Sequence, residues 1–180
     1  MEIKRKLKKE LHHFTKENKK IFEKLAESQN PKILFITCSD SRVCPGQMTN
    51  TKPGDLFIIR NAGNVIMGKP DLATIEYAVV KLNVKWIIVC GHKECGAIHA
   101  VKHPDSADGS IYLKSYVNEI IKEFKEKDLN KSVNELAIVN VKNQIKILKS
   151  MSFIKNKLNK KQIKLYGVIY DFKKGILSFL

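Results

Sequence analysis

The sequence has no long hydrophobic run. Apolar stretches such as ILFI and WIIV are far shorter than the roughly 20 residues that a membrane-spanning helix needs. The first residues, MEIKRKLKKELHHF, are charged and lack the apolar core of a secretory signal. We therefore expect a cytoplasmic protein without a membrane partner.

Linkers, internal repeats and low-complexity segments are also missing. A length of 180 residues with 43% hydrophobic content suits one domain with a substantial core. We expect one domain over residues 1–180, of which residues 1–30 form a helical arm. Its thin apolar stripe needs a packing surface, on its own domain or on a partner subunit.

Acidic residues are scarce, since 18 Asp and Glu face 33 Lys and Arg, giving a formal charge of +15. Such an excess is typical of proteins that bind nucleic acid or anionic membranes. Here, however, the basic residues are scattered along the chain and accompany no known nucleic-acid motif. We interpret them as a solvated lysine-rich surface that attracts small anions, and we expect no nucleic-acid partner.

Cysteines are few, namely Cys38, Cys44, Cys90 and Cys95. An even number is compatible with two disulfides in a secreted protein. In a reducing compartment, free thiols or metal ligands are the better interpretation. Cys44 and Cys90 are interpreted as packed thiols.

Hydrophobic periodicity predicts an α/β fold. Helical spacing of apolar residues over 2–28 indicates a helix, and continuous apolar runs indicate three strands buried on both faces, at 32–37, 55–60 and 85–91. A mostly buried helix beginning near Pro70 joins the second strand to the third, which favours a parallel arrangement. Two helices are expected between 109 and 159, and the closing segment looks like a hairpin around DFKKG. The predicted fold is a central, mostly parallel sheet flanked by helices, with an N-terminal helical arm and a C-terminal antiparallel strand or hairpin.

Chemically active side chains follow two of these strands. Because side chains alternate along an extended strand, Cys38, Asp40 and Arg42 of CSDSR are expected on one side. His92 and Cys95 of CGHKECGA follow the third strand. Ligands of open α/β sheets bind beyond the carboxyl ends of the strands, so the two groups can converge.

Two cysteines and a histidine form a soft ligand set that suits Zn²⁺. Three protein ligands leave one tetrahedral position open, which is typical of a catalytic zinc. The metal can lower the pKa of a bound water from ~15.7 to about 7. Asp40 and Arg42 are candidates for orienting that water.

These motifs resemble the β-class carbonic anhydrases. The resemblance lies in CSDSR, PGDLFIIRNAGN, IEYAV, GHKECGA, NVKNQIKIL and KLYGVIYDFKKGILSF, and it covers the chain from about residue 28. The segment SQNPKILFITCSDSRVCP is closest to the plant-type branch. The resemblance implies a zinc enzyme that interconverts carbon dioxide and bicarbonate.

The resemblance also implies roles for individual residues. Cys38, His92 and Cys95 would bind zinc. Asp40 would accept the proton of the water on zinc, and Arg42 would hold Asp40. The substrate-binding positions would be Gln29, which hydrogen-bonds substrate, and the apolar-pocket residues Phe57, Ala62 and Tyr77.

The family forms dimers, often paired into tetramers, with each site at a subunit interface. The resemblance thus implies a homodimer or homotetramer and a partner subunit for the arm. Asp40 stands two residues from Cys38 on the same face, so its carboxylate can approach the metal. If Asp40 leaves Arg42, it can become the fourth zinc ligand, which gives a closed form. Phe35 and Thr37 stand where some bacterial members place the Trp and Gly of an inhibitory bicarbonate site. We therefore expect the open form near neutral pH.

Two alternatives remain at this point. The same metal site would serve a related zinc hydrolase acting on CS₂ or COS. A non-catalytic basic module that binds nucleic acid is the second alternative.

Overall fold

The structure is a computed structural model that describes residues 2–180, and it divides into two units, Met1–Asn30 and Pro31–Leu180. The first unit contains helices α1 (Glu2–Glu17) and α2 (Lys19–Glu27). The predicted continuous helix is interrupted at Asn18, whose backbone leaves the helical region at φ −114° and ψ 23°. Both the backbone N–H and the side-chain amide of Asn18 donate to the Phe14 carbonyl, at 3.1 and 2.8 Å. No helix within residues 2–180 is long and apolar enough to cross a bilayer.

The apolar stripe of the arm is exposed. Neither α1 nor α2 contains a buried residue. Along α1, Ile3, Leu7 and Leu11 are each more than 60% exposed. The described chain therefore leaves this stripe without a cover.

The second unit is built on a five-stranded sheet in the order β2-β1-β3-β4-β5. Strands β1, β2, β3 and β4 run parallel and β5 pairs antiparallel with β4, which confirms the predicted fold. The strands are β1 (Ile33–Cys38), β2 (Leu56–Asn61), β3 (Trp86–His92), β4 (Lys164–Asp171) and β5 (Ile176–Phe179). The helices are α3 (Pro45–Thr49), α4 (Gly68–Glu76), α5 (Gly96–Lys102), α6 (Ile111–Ile121), α7 (Val133–Ser150) and α8 (Ser152–Asn159).

The first three strands each begin and end one residue later than predicted, so Cys38 and His92 are the last residues of their strands. The prediction that all three are buried on both faces is wrong for β2. This strand lies at the edge of the sheet, and Ile58 is 42% exposed. The apolar sequence of β2 predicts that both of its faces are covered, but the described residues leave Ile58 on one face exposed.

Helix α4 also differs from its prediction. It begins at Gly68, so Pro70 is its third residue and not its first. It continues as a π-helical segment over Tyr77–Lys81, in which the Leu82 amide bonds to the Tyr77 carbonyl. Leu72 and Tyr77 are 43% and 45% exposed, so the helix is less buried than predicted.

Helix α7 packs closely against the sheet because glycines line the contact. A Cβ added at Gly91 of β3 would lie 2.7 Å from Cγ2 of Val141 and 3.0 Å from Cδ1 of Ile169. A Cβ at Gly167 of β4 would lie 2.9 Å from Cγ1 of the same Val141. The two glycines therefore set how near α7 approaches the strand that ends in His92.

We expect Gly91→Ala to lower the free energy of unfolding by about 1–3 kcal/mol, because the added methyl group overpacks this contact. The measurement is urea unfolding at a fixed protein concentration. Gly96→Ala is the matched control, since nothing lies within 4 Å of a Cβ added there. Because alanine favours a helix, the control is expected to be neutral or slightly stabilised. Equal stabilities of the two variants would refute the packing argument.

Candidate metal centre

Two parallel strands and one turn bring together three ligand atoms. Cys38 and His92 end the neighbouring strands β1 and β3, so they lie at the same edge of the sheet. After β3, Glu94 adopts a positive φ of 52°, which turns the chain so that Cys95 precedes the first residue of α5. The Sγ atoms of Cys38 and Cys95 are 3.9 Å apart. Together with a ring nitrogen of His92, all three ligand atoms lie within 4.8 Å of one another.

The histidine is oriented as a metal ligand requires. Its ring is fully buried, and Nδ1 lies 2.9 Å from the Lys93 carbonyl oxygen. A carbonyl can only accept, so Nδ1 carries the proton and Nε2 presents a lone pair. Within residues 2–180, Nε2 of His92 is buried and finds no hydrogen-bond partner. Buried polar atoms are rarely left unpaired, so this nitrogen fits a bound cation.

Backbone amides support negative charge on Cys38. The N–H groups of Asp40 and Gly63 each point at its sulfur from 3.4 Å. The adjacent Cys95 thiol and these amides hold the pKa of Cys38 well below its usual range. The nearby Cys38 sulfur, together with burial, raises the pKa of Cys95. The pair thus carries one thiolate readily, and a second requires a compensating cation such as Zn²⁺.

The loop that carries Gly63 is held by buried amides of α7. Asn140 donates a hydrogen bond to the Gly63 carbonyl at 2.7 Å, and Gln144 accepts one from the Ile66 amide at 2.8 Å. Gln144 also donates to Asn140 at 3.2 Å. Both side chains are almost fully buried. Helix α7 therefore fixes one of the amides that face the Cys38 sulfur.

Asp40 and Arg42 meet through a turn. Strand β1 ends at Cys38, so the expected alternation does not continue, and the Arg42 amide instead bonds to Oδ1 of Asp40 at 3.0 Å. The guanidinium completes a fork, with Nε 2.9 Å from Oδ1 and Nη2 2.7 Å from Oδ2. Oδ2 lies 3.8 Å from Nε2 of His92. The bonds from Arg42 hold the pKa of Asp40 well below its usual range, so Asp40 is ionised at neutral pH.

Sequence reasoning did not predict two side-chain contacts around this turn. Arg60 donates to the carbonyl oxygens of Cys38 at 3.2 Å and Asp40 at 3.0 Å, which fastens the backbone of the turn. Phe172, between β4 and β5, places its ring under the Arg42 guanidinium. No local pattern predicts either contact, because each joins segments distant in sequence.

The predicted substrate-pocket residues do not all lie beside the cluster. Phe57 and Tyr77 are neighbours, with ring centroids 6.0 Å apart. Phe57 pairs in register with Leu34, four positions before Cys38, which is about 13 Å along a strand.

The other two predicted substrate-binding residues, Ala62 of the pocket and the hydrogen-bonding Gln29, are exposed. Ala62 precedes Gly63, and its carbonyl accepts a hydrogen bond from the Tyr116 hydroxyl at 2.7 Å. Gln29 belongs to the first unit. Their roles in substrate binding stay predictions.

The remaining cysteines differ from each other. Cys90 is fully buried, and burial raises its pKa to about 12, as suits a packed thiol. Cys44 is exposed, so the interpretation of it as a packed thiol is wrong. It follows the turn of Asp40 and Arg42 and directly precedes the first residue of α3.

Comparison with known proteins places the chain in a family. A family model described as "Carbonic anhydrase" matches residues 33–177. Curated relatives of that name include one from Synechococcus elongatus, 32% identical over 95% of this chain and 69% of its own length. Another, from Pseudomonas aeruginosa, is 34% identical over 89% of this chain and 78% of its own. A relative from Synechocystis is 34% identical over 86% of this chain. The matched region covers only 61% of the length of that relative.

Solved structures agree with the sequence relatives. The β-carbonic anhydrase CcaA has a TM-score of 0.87 and 30% identity, covering 99% of this chain and 93% of its own. A structure from a study of two tetrameric β-carbonic anhydrases of Sordaria macrospora has a TM-score of 0.79 and 30% identity, covering 94% and 90%. Family match, identity and fold all point the same way, and the chain belongs to the β-class carbonic anhydrases.

Proposed function

We propose that this protein catalyses the reversible hydration of carbon dioxide to bicarbonate and a proton, with Zn²⁺ held by Cys38, His92 and Cys95. One observation carries the proposal: three buried ligand atoms lie within 4.8 Å of one another, and Nε2 of His92 has no hydrogen-bond partner in the described chain. Two thiolates and an imidazole suit zinc and leave a fourth position open. When bound, zinc acts as a Lewis acid and brings the pKa of a water to about 7.

The chain's own residues orient the reaction. The Asp40 carboxylate faces the space next to His92 and accepts a hydrogen bond from water there. Because its pKa is held so low, Asp40 is an acceptor that orients and does not store the released proton, which passes to buffer. Arg42 fixes the orientation of the Asp40 carboxylate by a bidentate hydrogen bond to its two oxygens. A single point charge would not impose this geometry.

The test measures metal content and stopped-flow CO₂ hydration on the same sample. We expect one zinc per chain, and activity that is lost on chelation and restored by zinc. A zinc-loaded protein without CO₂ hydration would refute the proposal. Parallel assays with CS₂ and COS would then identify the alternative hydrolase.

We further propose a cytoplasmic homodimer or homotetramer, in which residues 1–180 act as one functional domain and the arm of residues 1–30 packs on a partner subunit. The exposed apolar stripe of α1 supports the assembly, because it needs a surface to pack on. A reducing compartment, such as the cytoplasm, is supported by the four cysteines that are free of disulfides, namely Cys38, Cys44, Cys90 and Cys95. Phe57 lies about 13 Å from Cys38 along the strand direction, so the residues predicted to line the pocket do not surround the cluster within one chain. This supports a pocket that a second copy completes.

Gln29→Ala is expected to lower CO₂ hydration about 10-fold while zinc stays bound, because a substrate hydrogen bond is lost. Asn30→Ala, at the next position, is the control and is expected to retain more activity. Zinc content and sedimentation are measured alongside the rate. A fully active monomer would contradict the proposed interface site.

A further inference from the structure

The Phe172 ring packs against both Arg42 and His92 of the candidate centre. The Arg42 Cζ atom lies 4.3 Å from the centroid of its ring. The buried His92 ring lies 5.1 Å away at 59°. Tyr170 packs edge-to-face against it at 5.1 Å and 83°. One aromatic ring therefore contacts a predicted zinc ligand and the arginine that holds Asp40.

Arg42 needs such a partner. Its side chain is 54% exposed, and it must stay in one plane to hold both oxygens of Asp40. Exposed ion pairs are weak because ordering a long side chain costs entropy. A guanidinium over an aromatic face is attracted by the ring quadrupole, and stacking also restricts its plane.

The ring is carried by a turn that is tied to β3. Asp171, just before Phe172, accepts a hydrogen bond from Nζ of Lys93 at 2.7 Å. Its other carboxylate oxygen accepts the Lys173 amide at 2.9 Å, and its carbonyl accepts the Gly175 amide at 2.8 Å. Lys93 directly follows His92, so the turn and the histidine are fastened to the same strand end. These hydrogen bonds fix the backbone position of Phe172, and with it the place of the ring.

We propose that Phe172 is a positioning residue for the Arg42–Asp40 pair, an inference that rests on the proposed function for its catalytic consequence. The ring holds the guanidinium plane over its face, which keeps both oxygens of Asp40 engaged. Without the ring, Arg42 gains freedom and Asp40 loses its fixed orientation next to His92. Phe172 acts through Arg42 and needs no contact with substrate.

A direct readout exists because the chain has three arginines, Arg5, Arg42 and Arg60. Their Nε–H signals can be resolved by ¹⁵N NMR and assigned with single Arg→Lys variants. In Phe172→Leu, the Arg42 Nε–H is expected to shift and to exchange faster with water, while the Arg60 signal stays unchanged. Phe172→Tyr keeps the aromatic face and is expected to restore the wild-type signal.

The catalytic readout uses the same variants. Phe172→Leu is expected to lower kcat/KM for CO₂ hydration about 3- to 10-fold, the size of a partly exposed cation–π contact, with zinc content unchanged. Phe172→Tyr is expected to recover most of the loss. Phe179→Leu is the matched control, since that phenylalanine belongs to the same hairpin but packs against Tyr166. It is expected to leave the Arg42 signal unaltered.

A packing-preserving substitution keeps the test decisive if Phe172→Leu does not fold. Trifluorophenylalanine at position 172 keeps the ring but weakens its negative face. It is expected to speed Arg42 Nε–H exchange and lower kcat/KM while the melting temperature stays near that of the wild type. Exchange and kcat/KM equal to wild type in this variant would overturn the inference. A wild type inactive towards CO₂ would refute the proposed function, while the exchange rates would still decide the Phe172 contact.

Discussion

Cys95→Ser is expected to lose most of its zinc and nearly all CO₂ hydration. The serine hydroxyl does not ionise near neutral pH and is a harder ligand than the thiolate it replaces. Removing a side chain that hydrogen-bonds a metal ligand typically costs about 10- to 100-fold in metal affinity or activity, so the loss of a ligand itself should exceed that range. Zinc per chain is measured after dialysis, together with the hydration rate.

The chain offers a matched control for this prediction. Cys44→Ser makes the same chemical change at an exposed thiol outside the cluster, and it is expected to keep full zinc and activity. Equal zinc loss in both variants would indicate a general effect on folding. Full zinc retention in Cys95→Ser would remove Cys95 from the ligand set.

Arg42→Ala is expected to keep its zinc but to lose CO₂ hydration by about 100-fold near neutral pH, because a misplacement of roughly 1 Å in a group that positions a reactant can cost that much. The variant loses both side-chain bonds to Asp40, at 2.9 and 2.7 Å. The freed carboxylate, whose Oδ2 is only 3.8 Å from Nε2 of His92 in the paired form, can then move further into the space next to His92. Steady-state rates and metal analysis on one sample measure the effect.

Arg42→Lys separates charge from geometry. Lysine keeps the positive charge but not the fork, so it should recover only part of the activity. Zinc-edge absorption reports whether a carboxylate has entered the coordination sphere. A wild type with Asp40 on zinc near neutral pH would overturn the open-form prediction without affecting the other three ligands.

Much of the fold follows from local patterns. Apolar runs predict β1 and β3 to within one residue, because a strand covered on both faces must be apolar throughout. The pattern fails at Asn18 and at Ile58 for different reasons. The arm helix is interrupted where the Asn18 backbone leaves the helical region, which no apolar spacing signals. An apolar edge strand has the same sequence pattern as a central strand, so its place in the sheet is known only once its neighbours are known.

By itself, the sequence determined the types of the candidate ligands and their places at strand ends, since CSDSR and GHKECGA each lie where a recognisable strand ends. Only the tertiary structure decided how those groups are held. It supplied the Gly63 amide to Cys38, the Lys93 carbonyl that sets the His92 tautomer, and the Phe172 ring under Arg42. The ends of the strands can be predicted from the local hydrophobic pattern. Contacts between distant segments depend on strand order and helix packing, which no short stretch of sequence encodes.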